Sequence, residues 1–328
     1  MSKVAIIGAG LAAVCAARRL RAAGHQVSLF EKSRGLGGRM STKREDWSHL
    51  DLGAQYFTAD SNDFREEIAR WCKQGVAARW YFQPYKKFPG APLQASPDDR
   101  ERFVGTPDMN SIVKALTCDL DIHINSQVEN LQRLSNAWEL SCHNDLRLSG
   151  FDWVLVTLPA EQAVPLVADV CELNEAVPAK VHLPCWALGI STRGAVAPDI
   201  QGIFGDDIVL WAARQSSKPF RAPPQGADDA WVLHFSPKWT EEHGKETKTD
   251  IVDIGMNWLR GAFEQEIKLH KHILHFWRYA NISPQRFNKP YFVDETHQLA
   301  LVGSWCAGGK VEGAFKSAEA FIRDFFAL

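Results

Sequence analysis

The sequence predicts an α/β chain in which a nucleotide-binding βαβ unit opens a discontinuous domain, and a second, α+β domain on a mixed or antiparallel sheet is inserted into it. Three observations carry this. The apolar run 4–7 ends in Gly8 and Gly10; a second strand-like run, 26–30, closes on Glu31; and strand-like runs at 186–192, 208–214 and 230–235 crowd the second half. A parallel nucleotide unit and an alternating sheet have different periods, and both are present.

At the first turn Gly8 lets the chain leave the strand tightly, Gly10 lets bare backbone approach a pyrophosphate, and Ala13 keeps helix and sheet close. Leu11 and Ala12 open the helix, whose N-terminal N–H groups and dipole favour an anion. Glu31 is placed to accept from a ribose hydroxyl, which argues against a 2′-phosphate on that ribose. The next residues, Lys32-Ser33-Arg34-Gly35-Leu36-Gly37-Gly38-Arg39, form a second glycine turn with an arginine fork able to reach a diphosphate.

This extension, with Gly37, Gly38 and Arg39 after the acid, resembles the flavin-dependent amine oxidase superfamily. The resemblance implies a Rossmann-like FAD-binding domain of glutathione-reductase type and FAD, held non-covalently, as cofactor. Segments across the chain extend the resemblance. Asp51-Leu52-Gly53-Ala54-Gln55-Tyr56-Phe57 is similar to the segment passing the flavin ring, with Gly53, Ala54 and Gln55 as contacts. The buried-strand pattern 299–304 leads through Gly303 and Ser304 to a last helix in which Glu312, Gly313 and Ala314 would approach the flavin. Val128 and Thr157 are further candidate contacts. Ser304 departs from the family, which usually has an acid there.

Within the superfamily the chain resembles the renalase-like proteins over 31–42, 51–58, 105–116 and Phe276-Trp277-Arg278-Tyr279-Ala280. That implies oxidation of 2- or 6-dihydro isomers of NAD(P) to NAD(P)+, with hydride transfer to the flavin and O2 as electron acceptor giving H2O2. Two alternatives stay open. One is an amine oxidase or desaturase, disfavoured by Pro184 where a strand lysine is expected; the other is a non-catalytic FAD-binding protein.

The expected division is 1–60, 105–162 and 276–328 for the FAD domain, with 61–104 and 163–275 for the substrate domain. Among 328 residues, 45% are hydrophobic and the net charge is −2, enough for large cores and without the basic footprint of a nucleic-acid binder. Seven cysteines without a C-x-x-C pair suggest neither a disulfide framework nor zinc, and a cytoplasmic setting is expected. The apolar stretch 4–17 is read as the nucleotide turn rather than a leader, and no run has the length of a membrane span.

A flavin accepts the hydride itself, so no side chain is expected to be essential to the chemistry, and the protein's task is to place the substrate. Trp277, Trp186, Trp305 and Tyr85 are candidates for an aromatic wall, Trp305 foremost because it follows Gly303-Ser304. His234, alternating with apolar neighbours, and Gln55 are candidate polar partners, and Arg278 is a candidate for a carboxamide or phosphate. His270, His272 and His275 read as alternation along a strand rather than metal ligands, so no metal site is expected. Cys306 is read as a buried thiol.

Overall fold

In the computed structural model, which describes residues 1–194, 196–244, 246–263, 265–283, 287 and 289–326, the first domain is a six-stranded sheet. Its order is Tyr291–Asp294, Leu299–Val302, Trp153–Val156, Lys3–Ile7, Gln26–Phe30 and Asp121–His123, parallel except at the first pair. Parallel strands are apolar on both faces because both faces are covered. Here the helices Leu11–Ala22 and Lys310–Phe326 pack on one side around Leu20, Phe315 and Phe321. The helix Ala160–Val167 and a three-stranded sheet (Val128–Leu134, Ala137–Cys142, Arg147–Phe151) close the other around Trp138 and Phe151.

The second domain is a seven-stranded mixed sheet in the order Lys268–Ile282, His182–Arg193, Asp229–Phe235, Val209–Arg214, Gly202–Phe204, Tyr85–Lys86 and Gln94–Ala95. It is antiparallel except where Gly202–Phe204 meets Tyr85–Lys86. The helices Pro237–Glu242 and Lys248–Phe263 cover its outer face, where Trp186, Leu188, Ile190, Trp231, Leu233 and Phe235 point.

Two expected boundaries move. The strand Lys268–Ile282 runs on past 276, so the substrate sheet holds residues assigned to the FAD domain. The helix Asn62–Lys73, expected in the substrate domain, packs Phe64, Ile68 and Trp71 into the nucleotide-domain core beside Phe315. Its apolar residues recur at helical spacing and need a partner face, and the last helix supplies one. No helix among the described residues is long and apolar enough to cross a membrane.

Candidate functional site

A cleft of about 1820 Å³ runs between the two sheets, from Gly8 and Glu31 to Trp211 and Trp277. At its nucleotide end Gly8 has φ +107°, and a Cβ there would press on the Thr157 hydroxyl, which donates to Ile7 O at 2.8 Å. Gly10 starts the helix Leu11–Ala22 with open space around its missing side chain. Opposite lies the second turn, Gly37 and Gly38, both at positive φ; a Cβ on Gly38 would lie 3.8 Å from Gly10 Cα. Two bare backbones thus lie against each other at this end of the cleft, Gly37 N donating to Ala9 O at 3.0 Å.

Glu31 accepts from Ala9 N at 2.9 Å through Oε2 and from Ser33 N at 2.8 Å through Oε1. Each oxygen keeps a lone pair for a hydroxyl. Arg39 donates to Ala280 O at 3.2 Å and to Ser304 Oγ at 3.0 Å. It has no ion pair within 4 Å among the described residues, and burial pushes its pKa below the ordinary value against the pull of the nearby Glu161 carboxylate. An arginine held by neutral acceptors in a cleft of glycine turns keeps donors for an anion. The donor set and the second glycine turn therefore fit a dinucleotide diphosphate.

Gly53 is fixed by packing, because a Cβ would overlap Arg39 O, which accepts from Ala54 N at 2.8 Å. Gly8, Gly10, Leu11, Ala12, Glu31, Lys32, Gly37, Gly38, Arg39, Gly53, Ala54, Gln55, Val128, Thr157, Gly303, Ser304 and Ala314 all line the cleft. Glu312 and Gly313 do not. Glu312, 4% exposed, turns away and accepts from Asp60 N, Ser61 N and Ser61 Oγ at 2.6–2.8 Å, with Lys316 at 2.8 Å. These partners hold its pKa down to about 2. It ties the last helix to the start of the helix Asn62–Lys73. Gly313 packs against Ala307 O and Ser304 O. Glu312→Ala is accordingly expected to lower the melting temperature by several degrees with flavin content unchanged; loss of flavin at unchanged melting would contradict this placement.

At the other end, direct cross-strand partners make a row on the inner face of the second sheet: Trp211, His234, Ala187 and His275. Tyr56 meets the Trp211 ring edge-on at 5.3 Å, and Trp277 meets His275 at 4.3 Å. Leu52 O accepts from Trp277 Nε1 at 2.8 Å and from His234 Nε2 at 2.9 Å. Burial and the nearby Lys218 ammonium push the His234 pKa down to about 4, against the Leu52 hydrogen bond. Gln55 lines the cleft with both ends of its amide engaged: Oε1 accepts from Gln215 Nε2 at 2.9 Å and Lys218 Nζ at 3.2 Å, while Nε2 faces Asp51 O and Gly53 O.

Of the expected substrate residues, His234, Trp277, Gln55 and Arg278 line the cleft and Trp305, Trp186 and Tyr85 do not. Trp305 is 1% exposed, stacks on Phe292 and donates to Leu158 O at 3.1 Å. The short helix Ser304–Ala307 turns its ring under the nucleotide sheet. Trp186 is one residue out of phase, since its neighbours Cys185 and Ala187 take the inner face. Tyr85 lies near the far edge of the sheet and donates to Asp199. The sequence reading missed Trp211, Tyr56, Tyr279 and His275 as lining residues. Alternation through 208–214 was visible, but register against His234 was not. Also unforeseen is a sealed cluster behind Gln55, in which Asp51 accepts from Thr42 Oγ1 at 2.6 Å, Lys218 Nζ at 2.9 Å and Arg221 at 2.6 Å. No group of three metal-ligating side chains is assembled among the described residues.

Residues 6–73 match the family of NAD(P)-binding Rossmann-like domains. The fold is that of an Exiguobacterium sp. 255-15 protein provisionally assigned as a protoporphyrinogen oxidase (TM-score 0.78, 12% identity, 98% of each chain covered). It is likewise that of putrescine oxidase in complex with putrescine (TM-score 0.72, 13% identity, 100% of this chain and 99% of the other). A 4,4'-diapophytoene desaturase of Staphylococcus haemolyticus (strain JCSC1435) is 48% identical over 50 residues, which is 15% of this chain and 10% of the desaturase. The chain thus carries a Rossmann-like domain in a mixed α/β fold shared with the two structural neighbours.

Proposed function

We propose that the protein is an FAD-dependent, renalase-like oxidase that converts 2- or 6-dihydro isomers of NAD(P) to NAD(P)+, with O2 as electron acceptor and H2O2 as product. The observation that carries the reading is the single cleft joining a diphosphate cradle at Gly8–Gly10, Gly37–Gly38 and Arg39 to a wall of flat rings at Trp211, His234 and Trp277. The fold likeness to two oxidases and the short desaturase match support a flavin as the occupant of the cradle. Glu31 would hold the ribose, Arg39 the diphosphate, and Gly53 and Ala54 would give the ring bare backbone. When bound, FAD supplies the hydride acceptor.

The residues of the ring end favour this substrate over an amine. Gln55, Tyr56, Trp211, His234, His275 and Trp277 include no carboxylate, and Asp51 behind them is neutralised by Lys218 and Arg221. An ammonium would enter with no counterion, whereas a neutral dihydropyridine stacks on such rings. Lys43, Arg44 and Arg278 along the cleft suit the anionic remainder of a dinucleotide. Loss of hydride from a dihydronicotinamide leaves a pyridinium and requires no proton transfer, in keeping with a site whose histidine is held neutral.

Anaerobic mixing of the purified flavoprotein with partly isomerised NADH tests the reading. Expected is rapid bleaching of the visible flavin band by the isomer fraction and not by pure 4-dihydro NADH, then recovery with peroxide on admitting air. Bleaching by amines and not by the isomers would replace this function with amine oxidation, and no bleaching by any donor would leave a binding protein.

A further inference from the structure

His234 has one ring nitrogen whose role is settled by its neighbour and one whose role is not used within the protein. Leu52 O only accepts, so His234 Nε2 at 2.9 Å must carry hydrogen. Gln55 Nε2, a donor 3.4 Å from the same nitrogen, would favour the opposite tautomer, but its two hydrogens are directed to Asp51 O and Gly53 O. The Gln55 amide cannot be flipped, because Lys218 Nζ and Gln215 Nε2 are donors that require its oxygen. With hydrogen on Nε2 of a neutral ring, Nδ1 is a bare lone pair. It has no hydrogen-bond partner among the described residues, is absent from the sealed unpaired polar atoms of the core, and belongs to a residue that lines the cleft. Burial and the Lys218 ammonium keep the ring from protonating at neutral pH.

Most other polar groups at this end are engaged or sealed, His275 being the second imidazole that lines the cleft. Trp277 Nε1 donates to Leu52 O, the Gln55 amide is saturated, and Trp211 Nε1 is sealed from the cleft. A ring entering beside Trp211 and Trp277 therefore meets a fixed acceptor with no compensating cation on that atom.

We infer that His234 is the specificity-determining residue of the site: its Nδ1 accepts a hydrogen bond from the amide N–H of the incoming ring, selecting a carboxamide-bearing ring against the corresponding carboxylate. The inference rests on the dihydronicotinamide reading given above. A carboxamide satisfies the lone pair, whereas a carboxylate sets a charged acceptor against it and leaves both without a donor. Sites built around one such polar contact reject the mismatched analogue far more strongly than pockets that sense only shape.

The test uses the full-length flavoprotein and two product-state probes, NAD+ and nicotinic acid adenine dinucleotide, with dissociation constants read from the perturbed flavin spectrum. Anaerobic reduction by the matching dihydro forms is followed in parallel. Wild type should prefer the amide by about 10- to 100-fold. His234→Phe should bring the two probes within about threefold of each other, and His234→Gln, whose N–H can serve Leu52 O while its oxygen accepts, should restore most of the preference. His234→Gln also keeps the comparison usable if the phenylalanine variant does not fold. Equal binding of both probes by wild type, or an unchanged preference in His234→Phe, overturns the role of His234 while leaving the function standing. Failure of every dihydronicotinamide isomer to reduce wild type overturns the function and this inference together.

Discussion

Gly10→Val is expected to yield a protein that melts like wild type and purifies without colour. A Cβ at Gly10 meets no protein atom within 4 Å, and its backbone, at φ −80° and ψ 179°, is open to any residue. A valine there reaches into the space the cradle leaves for its occupant. Filling the point where the diphosphate approaches the helix N-terminus should weaken FAD by at least 100-fold, or about 2.7 kcal/mol. The flavin-to-protein absorbance ratio after gel filtration checks this, with thermal melting as the control. A yellow, stoichiometric Gly10→Val would place the cofactor elsewhere. Gly53→Ala provides the contrast, since its added carbon strikes the Arg39 carbonyl and must move backbone. It should lose flavin and stability together, the latter by about 1–3 kcal/mol.

The nucleotide half was legible in sequence because its signals are local. A strand ending in glycines, a helix, a second strand and an acid fix each other within about thirty residues, as a βαβ unit requires. Gly8, Gly10, Glu31, Gly37, Gly38 and Arg39 accordingly meet around one cleft. Where the expectation failed, the deciding contact was non-local. Trp186 and His234 both lie on readable strands, and alternation says only that each strand has two faces. Which face is inner depends on Ala187 pairing with His234 and on two helices, Pro237–Glu242 and Lys248–Phe263, that arrive later in the chain. Trp305 and Glu312 failed for a related reason, because proximity in sequence to Gly303 and Gly313 says nothing of where a side chain turns. Each found a stronger partner, Leu158 O for the indole and the Ser61 segment for the carboxylate. The Asp51 cluster was invisible because Lys218 and Arg221 lie 167 and 170 residues from Asp51 in sequence, beyond the reach of any local pattern.

That cluster should dominate the stability of the junction between the two domains. Asp51 and Lys218 are fully buried and Arg221 nearly so, and one carboxylate serves both cations. Asp51→Asn removes the shared anion and leaves two desolvated charges facing each other, a change expected to cost about 3–5 kcal/mol. Lys218→Met removes a charge that burial already disfavours, as its pKa of about 8 reflects, and leaves Asp51 paired to Arg221. It should therefore cost distinctly less, chiefly through the Gln55 and Gln215 oxygens that lose a donor. Chemical denaturation of both variants checks the order, and a Lys218→Met as damaging as Asp51→Asn would mean that the ammonium, not the carboxylate, organises the site. The acid limb gives a second, independent reading. Burial alone would push the Asp51 carboxyl up, but Lys218, Arg221 and Thr42 outweigh it and hold it down to about 2, against an ordinary value of 3.8. Because the folded pKa is the lower one, its contribution is fully present above about pH 4 and drains away as pH falls toward 2. Wild type should lose melting temperature across that window, and Asp51→Asn, lacking the group, should lose less of it. The segment so held, Asp51 to Gln55, is the one that sets Leu52 O under His234 and Gly53 against Arg39. A substrate-domain loop thereby fixes the wall of a cleft whose other half belongs to the nucleotide domain.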